Sequence, residues 1–290
     1  MKKYILILLL ACSLGVNAQY NLFARQNFEA KKSTFSYVLD AYPNAAIAYS
    51  FRKLRSAYTG YCIKVRRSSD NTTLDIGFVN NLLDESSLNA FVGAGDGFIQ
   101  IWYDQSGNVN NSVQSTTANQ PQIVISGVLI KKAGKPAFYS PKTAQMATGL
   151  IVSVYDSAFT VFQIETTGND GTFLIPFTTA ENTGGRNYGI CSSGSGAASY
   201  DGWAIPAVYK NNSSLLTNTR GVYFSNFVTG AICLLSEFAP CSFSNNRGLA
   251  HPVGSLRCVS YVQEHITYNS DQNSNKTGIE NNINAFYSIY

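Results

Sequence analysis

Charge is scarce in this 290-residue chain: Asp, Glu, Lys and Arg together make up 13%, and histidine, methionine and tryptophan occur twice each. With 45% apolar residues the chain has ample means to bury a core, which excludes an extended, charge-solvated polymer. The formal net charge is +4, and Lys2 and Lys3 supply half of it. No strong field remains to attract nucleic acid or an anionic membrane. His251 and His265 have no Ser or Cys partner at a diagnostic spacing, so both read as structural, with His265 free to face solvent. No cysteine spacing suits a metal, and no cofactor motif is present. Gly93-Ala94-Gly95-Asp96-Gly97 is glycine-rich, yet it leads into a strand instead of opening a helix, so it is no phosphate cradle. Internal repeats, low-complexity tracts and linkers are also missing.

What is present begins with a leader. Lys2 and Lys3, an apolar run from Tyr4 to Leu10, and Val16-Asn17-Ala18 before Gln19 read as a secretion signal over residues 1–18. The run is too short to span a bilayer, which takes about 20 apolar residues. Leu9-Leu10-Ala11-Cys12 also fits a lipid-attachment box on Cys12, but Ser13-Leu14-Gly15-Val16 is not the polar tether that would follow one, and plain secretion to the cell exterior is favoured. A polar leader (19–36) then precedes one domain, 37–290, with no transmembrane segment. Aromatic residues reach 13%, with 18 tyrosines and 17 phenylalanines. Beyond Cys12 the cysteines are Cys62, Cys191, Cys233, Cys241 and Cys258. Export permits disulfides, and Cys233–Cys241 across a turn at Pro240 is the most local pairing; five buried, reduced thiols are the competing expectation.

Periodicity predicts an all-β chain with two helical ends. Ile47, Phe51 and Leu54 suggest a short amphipathic helix within 45–58. Strands are expected at 62–67 and 74–79, and Asp84 suits the cap of a helix reaching Phe91. From residue 97 onward strands and turns alternate: 97–103, 121–130, 136–139, 158–166, 171–178, 187–192, 204–210, 221–228, 230–237 and 259–268. After Asp271 a last helix places Ile279, Ile283, Phe286 and Tyr287 on one stripe that docks on the outside of the sheets, with Thr277 to Glu280 resembling a capping box inside it.

The most informative stretch is Gly97-Phe98-Ile99-Gln100-Ile101-Trp102-Tyr103-Asp104-Gln105-Ser106-Gly107-Asn108, a strand that breaks into turn residues. It resembles the Tyr-Asp-Gln-Ser-Gly-Asn segment of the catalytic domain of α-L-arabinofuranosidase B. Similar matches occur at Ala48 to Gly60, Val65 to Asp70, Asp75 to Phe78, Asn119 to Val124, and Val262-Gln263-Glu264 through Asn281-Asn282-Ile283. The resemblance implies a two-sheet antiparallel jelly-roll sandwich of the concanavalin A-like (laminin G-like) kind and a sugar-polymer partner. It covers 45–140 and 259–290 and fades over 141–258.

That family retains anomeric configuration with two carboxylates held about 5 Å apart. Its nucleophile follows a tryptophan-led strand and precedes two asparagines. Here the match is Trp203 to Asn212, and the glutamate position falls on Lys210. Its acid follows a Gly-Gly pair, yet Leu249 to Ser255 holds no carboxylate, and the family's vicinal cysteines are missing too. An ammonium cannot attack an anomeric carbon, and it repels the positive charge that develops there. Substitutes for the lost pair would be Asp201, Glu181, Glu165, Asp104, Asp70 or Asp75. The plain expectations are that Asp104 accepts the backbone N–H groups of Ser106 and Gly107 in its own turn, that Asp70 and Asp75 pair with Arg66, Arg67, Arg52 or Arg55, and that Glu264 is buried against an arginine. The sequence therefore points to a non-catalytic glycan-recognition module whose sugar patch is Trp203 with Asn211 and Asn212. A working arabinofuranosidase, or a structural adhesion domain of a cell surface or phage particle, are the alternatives.

Overall fold

The computed structural model describes residues 36–142, 144, 146–174, 190–194, 196, 207–215, 219–249 and 258–290, with backbone alone at 147–156, 174, 190 and 239–249. The expected signal (1–18) and most of the expected leader (19–36) lie outside the described residues. Tyr37–Tyr290 groups into one unit.

Thirteen described strands make one sheet folded back on itself. They are β1 (Ile47–Ser50), β2 (Ile63–Arg67), β3 (Thr73–Ile76), β4 (Gly97–Trp102), β5 (Ser112–Val113), β6 (Gln122–Ile125), β7 (Val128–Leu129), β8 (Phe138–Ser140), β9 (Met146–Ile164), β10 (Ala207–Lys210), β11 (Ser213–Ser214), β12 (Cys233–Leu249) and β13 (Ser260–Tyr268). The path runs β1-β13-β8-β6-β4-β5-β9-β12-β10-β11, with β2 joining β3 to β4. A second β9–β13 pairing closes the ring, and every pairing is antiparallel. The result is the antiparallel sandwich that the strand-and-turn texture predicts. Four helices accompany it among the described residues: α1 (Val38–Ala41), α2 (Glu85–Val92), α3 (Arg220–Phe227) and α4 (Lys276–Tyr287). None is long and apolar enough to cross a membrane.

Alternation along the strands separates two cores. Side chains facing the interior include Val65, Ile99, Phe138, Phe162, Leu235 and Val262, all fully or almost fully buried. Trp102 lies at their centre, its ring 5.0 Å from Phe51, 5.6 Å from Tyr49 and 5.3 Å from Phe138. On the opposite face of β9, β12 and β13, residues Phe159, Val161, Leu234, Phe238, Ile266 and Tyr268 receive Ile279, Ile283 and Tyr287 of α4. The expected stripe thus docks on the outside of the sheet. Its capping box does not form, because the helix starts earlier, at Asn275, without a side-chain cap. Glu280 instead accepts from Ser236 Oγ at 2.6 Å and Lys276 Nζ at 2.7 Å. Gly278 has a packing reason: a Cβ there would overlap Tyr42.

Two elements change type from their sequence reading, and two strands run well past it, since the expected 158–166 and 230–237 fall on β9, which begins at Met146, and β12, which ends at Leu249. Residues 45–58 are not helical; they carry strand β1, whose four residues are all buried. A strand buried on both faces has no polar alternation, so its apolar spacing passes for a helical one. The N-terminal helix lies earlier, at α1. Residues 221–228, rich in β-prone side chains, form helix α3: Thr219 Oγ1 accepts from Val222 N at 3.3 Å, and Tyr223 and Phe227, one turn apart, are both buried. By contrast Asp84 caps α2 as expected, its Oδ1 accepting from Ser87 N at 3.0 Å.

The Cys233–Cys241 pairing is also corrected. Both lie on the single strand β12, which at about 3.4 Å per residue sets them about 27 Å apart, far beyond disulfide reach. Cys62, Cys191, Cys233 and Cys258 are buried free thiols. Burial pushes the Cys233 and Cys258 thiols up to about 12, and Cys62 and Cys191 well above the usual range. All four are expected to resist a thiol-directed disulfide reagent in the native protein at pH 8 and to react on unfolding in guanidinium. Fast native labelling at any of them, located by peptide mass spectrometry, would contradict this packing.

Candidate functional site

The motif that dominates the sequence proves to be a clip. Asp104 Oδ1 accepts from Ala48 N at 2.8 Å and Ser106 N at 2.9 Å; Oδ2 accepts from Ser106 Oγ at 2.6 Å and Asn110 N at 3.0 Å. Gln105 Oε1 accepts from Leu54 N at 2.8 Å, while its Nε2 donates to the carbonyls of Ser50 and Arg52, both at 3.0 Å. Asn108 Nδ2 donates to the carbonyl of Ala45 at 2.9 Å. Gly107 has φ +103°, a left-handed setting beside the Arg55 guanidinium that suits glycine alone. Together these groups satisfy the backbone of β1 and the chain that follows it; of the two turn N–H groups expected on Asp104, that of Ser106 binds, while Ala48 and Asn110 supply the other backbone donors.

The other carboxylates singled out from the sequence also serve the fold. Asp70 takes the Arg67 guanidinium, with Nε–Oδ1 at 2.9 Å and Nη2–Oδ2 at 2.6 Å; this bond and the Thr72 N–H hold its carboxyl well below the usual range. Asp75 pairs with Lys64 at 3.7 Å and accepts from Tyr103 Oη at 2.6 Å, so its partner is a lysine and not the expected arginine. Glu165 meets Lys132 at 3.4 Å. Glu264 is fully buried against Arg52 through two contacts of 2.8 Å, and it also accepts from Ser50 Oγ at 2.7 Å and Tyr287 Oη at 3.2 Å. His265 is buried, not solvent-facing, between Thr160 at 2.9 Å and Thr267 at 2.6 Å. Asp201, Glu181 and His251 lie outside the described residues.

The registers bring a polar patch together on the interior face where β10, β12, β9 and β13 lie side by side. One row runs Val208, Glu237, Ala158, Thr267; the next runs Lys210, Leu235, Thr160, His265, Tyr49. Facing residues in such ladders share one side of the sheet. Glu237, 7% exposed, is the carboxylate of this patch among the described side chains. Sequence reading missed it. Its signal was a charged residue at an inward position of the apolar run Leu234 to Phe238.

Lys210 ends β10 with its ammonium on the carbonyl of Asn226, in the last turn of α3. A cation at a helix C-terminus is electrostatically favoured, so this side chain ties strand to helix. Asn211 and Asn212 follow with φ of +50° and +65°, the two-residue turn of the β10–β11 hairpin. Asn211 Oδ1 accepts from Leu234 N at 2.9 Å, and Asn212 Oδ1 accepts from Lys276 Nζ at 2.7 Å. Trp203, the third member of the expected sugar patch, lies outside the described residues. Among the described residues no His, Cys, Asp and Glu cluster could hold a metal ion.

Comparison with known proteins agrees with the sandwich fold. Residues 37–169 match the family model described as alpha-L-arabinofuranosidase B, catalytic. No curated protein matches the chain. Three solved structures share the fold. A mutant GH54 α-L-arabinofuranosidase soaked with 4-nitrophenyl α-L-arabinofuranoside superposes with a TM-score of 0.61 at 17% identity. A GH54 α-L-arabinofuranosidase soaked with a cyclic sulfate inhibitor gives 0.59 at 16%. An arabinofuranosidase complexed with arabinofuranosyl-α-1,2-xylobiose gives 0.55 at 16%. Each superposition covers 85% of this chain but 64% of the other, so the chain spans under two thirds of those proteins. Residues 37–169 thus resemble the α-L-arabinofuranosidase B catalytic model, and the described β-sandwich has the fold of these arabinofuranosidases.

Proposed function

We propose that this protein is an exported glycan-recognition module that keeps the arabinofuranosidase sandwich without its hydrolytic chemistry. One observation carries the reading: Lys210, which stands where the family resemblance puts the nucleophilic glutamate, is bound to the end of α3. A retaining hydrolase needs a carboxylate there and a second about 5 Å away. The interior face offers Glu237 beside Thr160, His265, Thr267 and a lysine. A scarcity of charge suits a neutral, hydroxyl-rich partner in place of nucleic acid. The secretion signal read at residues 1–18 supports an encounter outside the cell.

The sugar patch read from the sequence is Trp203, whose indole would give a sugar ring a flat apolar face, with Asn211 and Asn212, of which Asn212 is exposed at the hairpin turn. On an array of arabinose-containing oligosaccharides the protein is expected to bind, and Trp203→Ala to weaken binding at least tenfold. Equal binding by the variant would remove this patch, and no binding by the parent to any glycan would leave the structural adhesion reading. Glu237 favours the second reading, an active arabinofuranosidase using a carboxylate on β12, which the Discussion's closing assay decides.

A further inference from the structure

Tyr61 and Tyr103 stand apart from the interior patch. Tyr61 is separated from the start of β2 by Cys62, and Tyr103 directly follows β4; Tyr103 N donates to the Cys62 carbonyl at 3.0 Å, so the two residues flank adjacent strands at the same end. Their rings lie 6.1 Å apart and inclined by 46°. Tyr61 is 53% exposed, and with Tyr290 it is one of two exposed aromatic side chains among the described residues. The pair is held in place. Tyr103 Oη donates to Asp75 Oδ1 at 2.6 Å, and the Tyr61 carbonyl accepts from Tyr58 Oη at 2.8 Å. Burial and the Asp75 carboxylate push the Tyr103 phenol up, keeping it a neutral donor.

Polar groups flank the rings. Lys64 and Asp75 face one another across β2 and β3, on the side away from buried Ile63 and Val65. Their charged ends lie 3.7 Å apart, and the two side chains are 28% and 30% exposed. The ammonium retains further N–H donors and the carboxylate further lone pairs. Because the pair is neutral overall, the patch offers an anionic or cationic ligand no net attraction, but it suits adjacent hydroxyls that both donate and accept. Two tyrosine rings beside such a pair offer an apolar face next to hydrogen-bonding groups, and their placement costs a ligand little ordering.

We propose that Tyr61 and Tyr103, with Asp75 and Lys64, form a contact platform for an uncharged polysaccharide on the outer face of the sheet. In the sheet path, β4 is separated from the strand of Lys210 by β5, β9 and β12, so this platform is a second glycan contact. It rests on the glycan reading above and extends it to a surface which that reading does not use. A chain held here is gripped along its length, independently of the interior patch.

Affinity electrophoresis and calorimetry with soluble arabinoxylan test it, on the parent, Tyr61→Ala, Asp75→Asn and Trp203→Ala. Thermal unfolding confirms that each variant is folded; Tyr61 is exposed enough that its loss should leave the midpoint nearly unchanged. Tyr61→Ala is expected to raise Kd tenfold or more, and Asp75→Asn to raise it severalfold. Saturating arabinoxylan should also slow nitration of Tyr61 by tetranitromethane, read by peptide mass spectrometry. Tyr61→Ala binding within twofold of the parent, or unprotected nitration, would overturn the platform while leaving the glycan reading intact if Trp203→Ala is weakened. Tighter binding of polygalacturonate than arabinoxylan would overturn the uncharged ligand class. A parent that binds no polysaccharide would overturn platform and glycan reading together.

Discussion

Replacing Arg52 with alanine is expected to destabilise the protein by about 3–5 kcal/mol, the cost of leaving a buried charge without its partner. Arg52 is 2% exposed and Glu264 fully buried. The guanidinium meets both carboxylate oxygens at 2.8 Å and donates to Asn282 Oδ1 at 3.0 Å, with the Phe286 ring 4.9 Å from its centre. Burial alone would lower the arginine pKa, but Glu264 more than reverses this, so the charge persists across the accessible pH range. The ion pair joins the chain just after β1 to β13, and through Asn282 and Tyr287 to α4. Urea unfolding at neutral pH measures the loss. Arg52→Met combined with Glu264→Gln should cost clearly less than the two single changes added, because neither charge is then stranded. A single-variant cost below about 1 kcal/mol would mean that the pair is not sealed from water.

Asp104→Ala is expected to cost about 2–4 kcal/mol, since hydrogen bonds to a charged group contribute about 1.5–3 kcal/mol each and several are lost together. The N–H of Ala48, inside a fully buried strand, would lose its partner. Asp104→Asn should recover part of the loss, because one carbonyl oxygen still accepts. Thermal unfolding reads stability, and glycan binding by the folded variant should match the parent. Binding lost at unchanged stability would instead assign Asp104 to a ligand site.

These two changes also show how much of the protein the sequence disclosed. Asp-Gln-Ser-Gly-Asn stands out because one short run carries the side-chain acceptors, amides and left-handed glycine that bind a distant strand; such local chemistry is legible. Asp84 and the stripe of Ile279, Ile283 and Tyr287 were legible for the same reason. Strand β1 was not, since burial on both faces removed its alternation, and α3 was not, because its tertiary contacts outweighed β-prone residues. The candidate site was the least legible part. Glu237, Thr160, His265 and Lys210 come from four strands, and only the register of the folded sheet places them side by side.

Loss of hydrolysis with retention of the fold is the central claim, and one assay meets it directly. The purified protein is incubated with 4-nitrophenyl α-L-arabinofuranoside at high enzyme concentration, alongside Glu237→Gln. Nitrophenolate release should not rise above the protein-free blank for either form. Sustained turnover by the parent that Glu237→Gln abolishes would contradict the account and make the interior carboxylate part of a working active site.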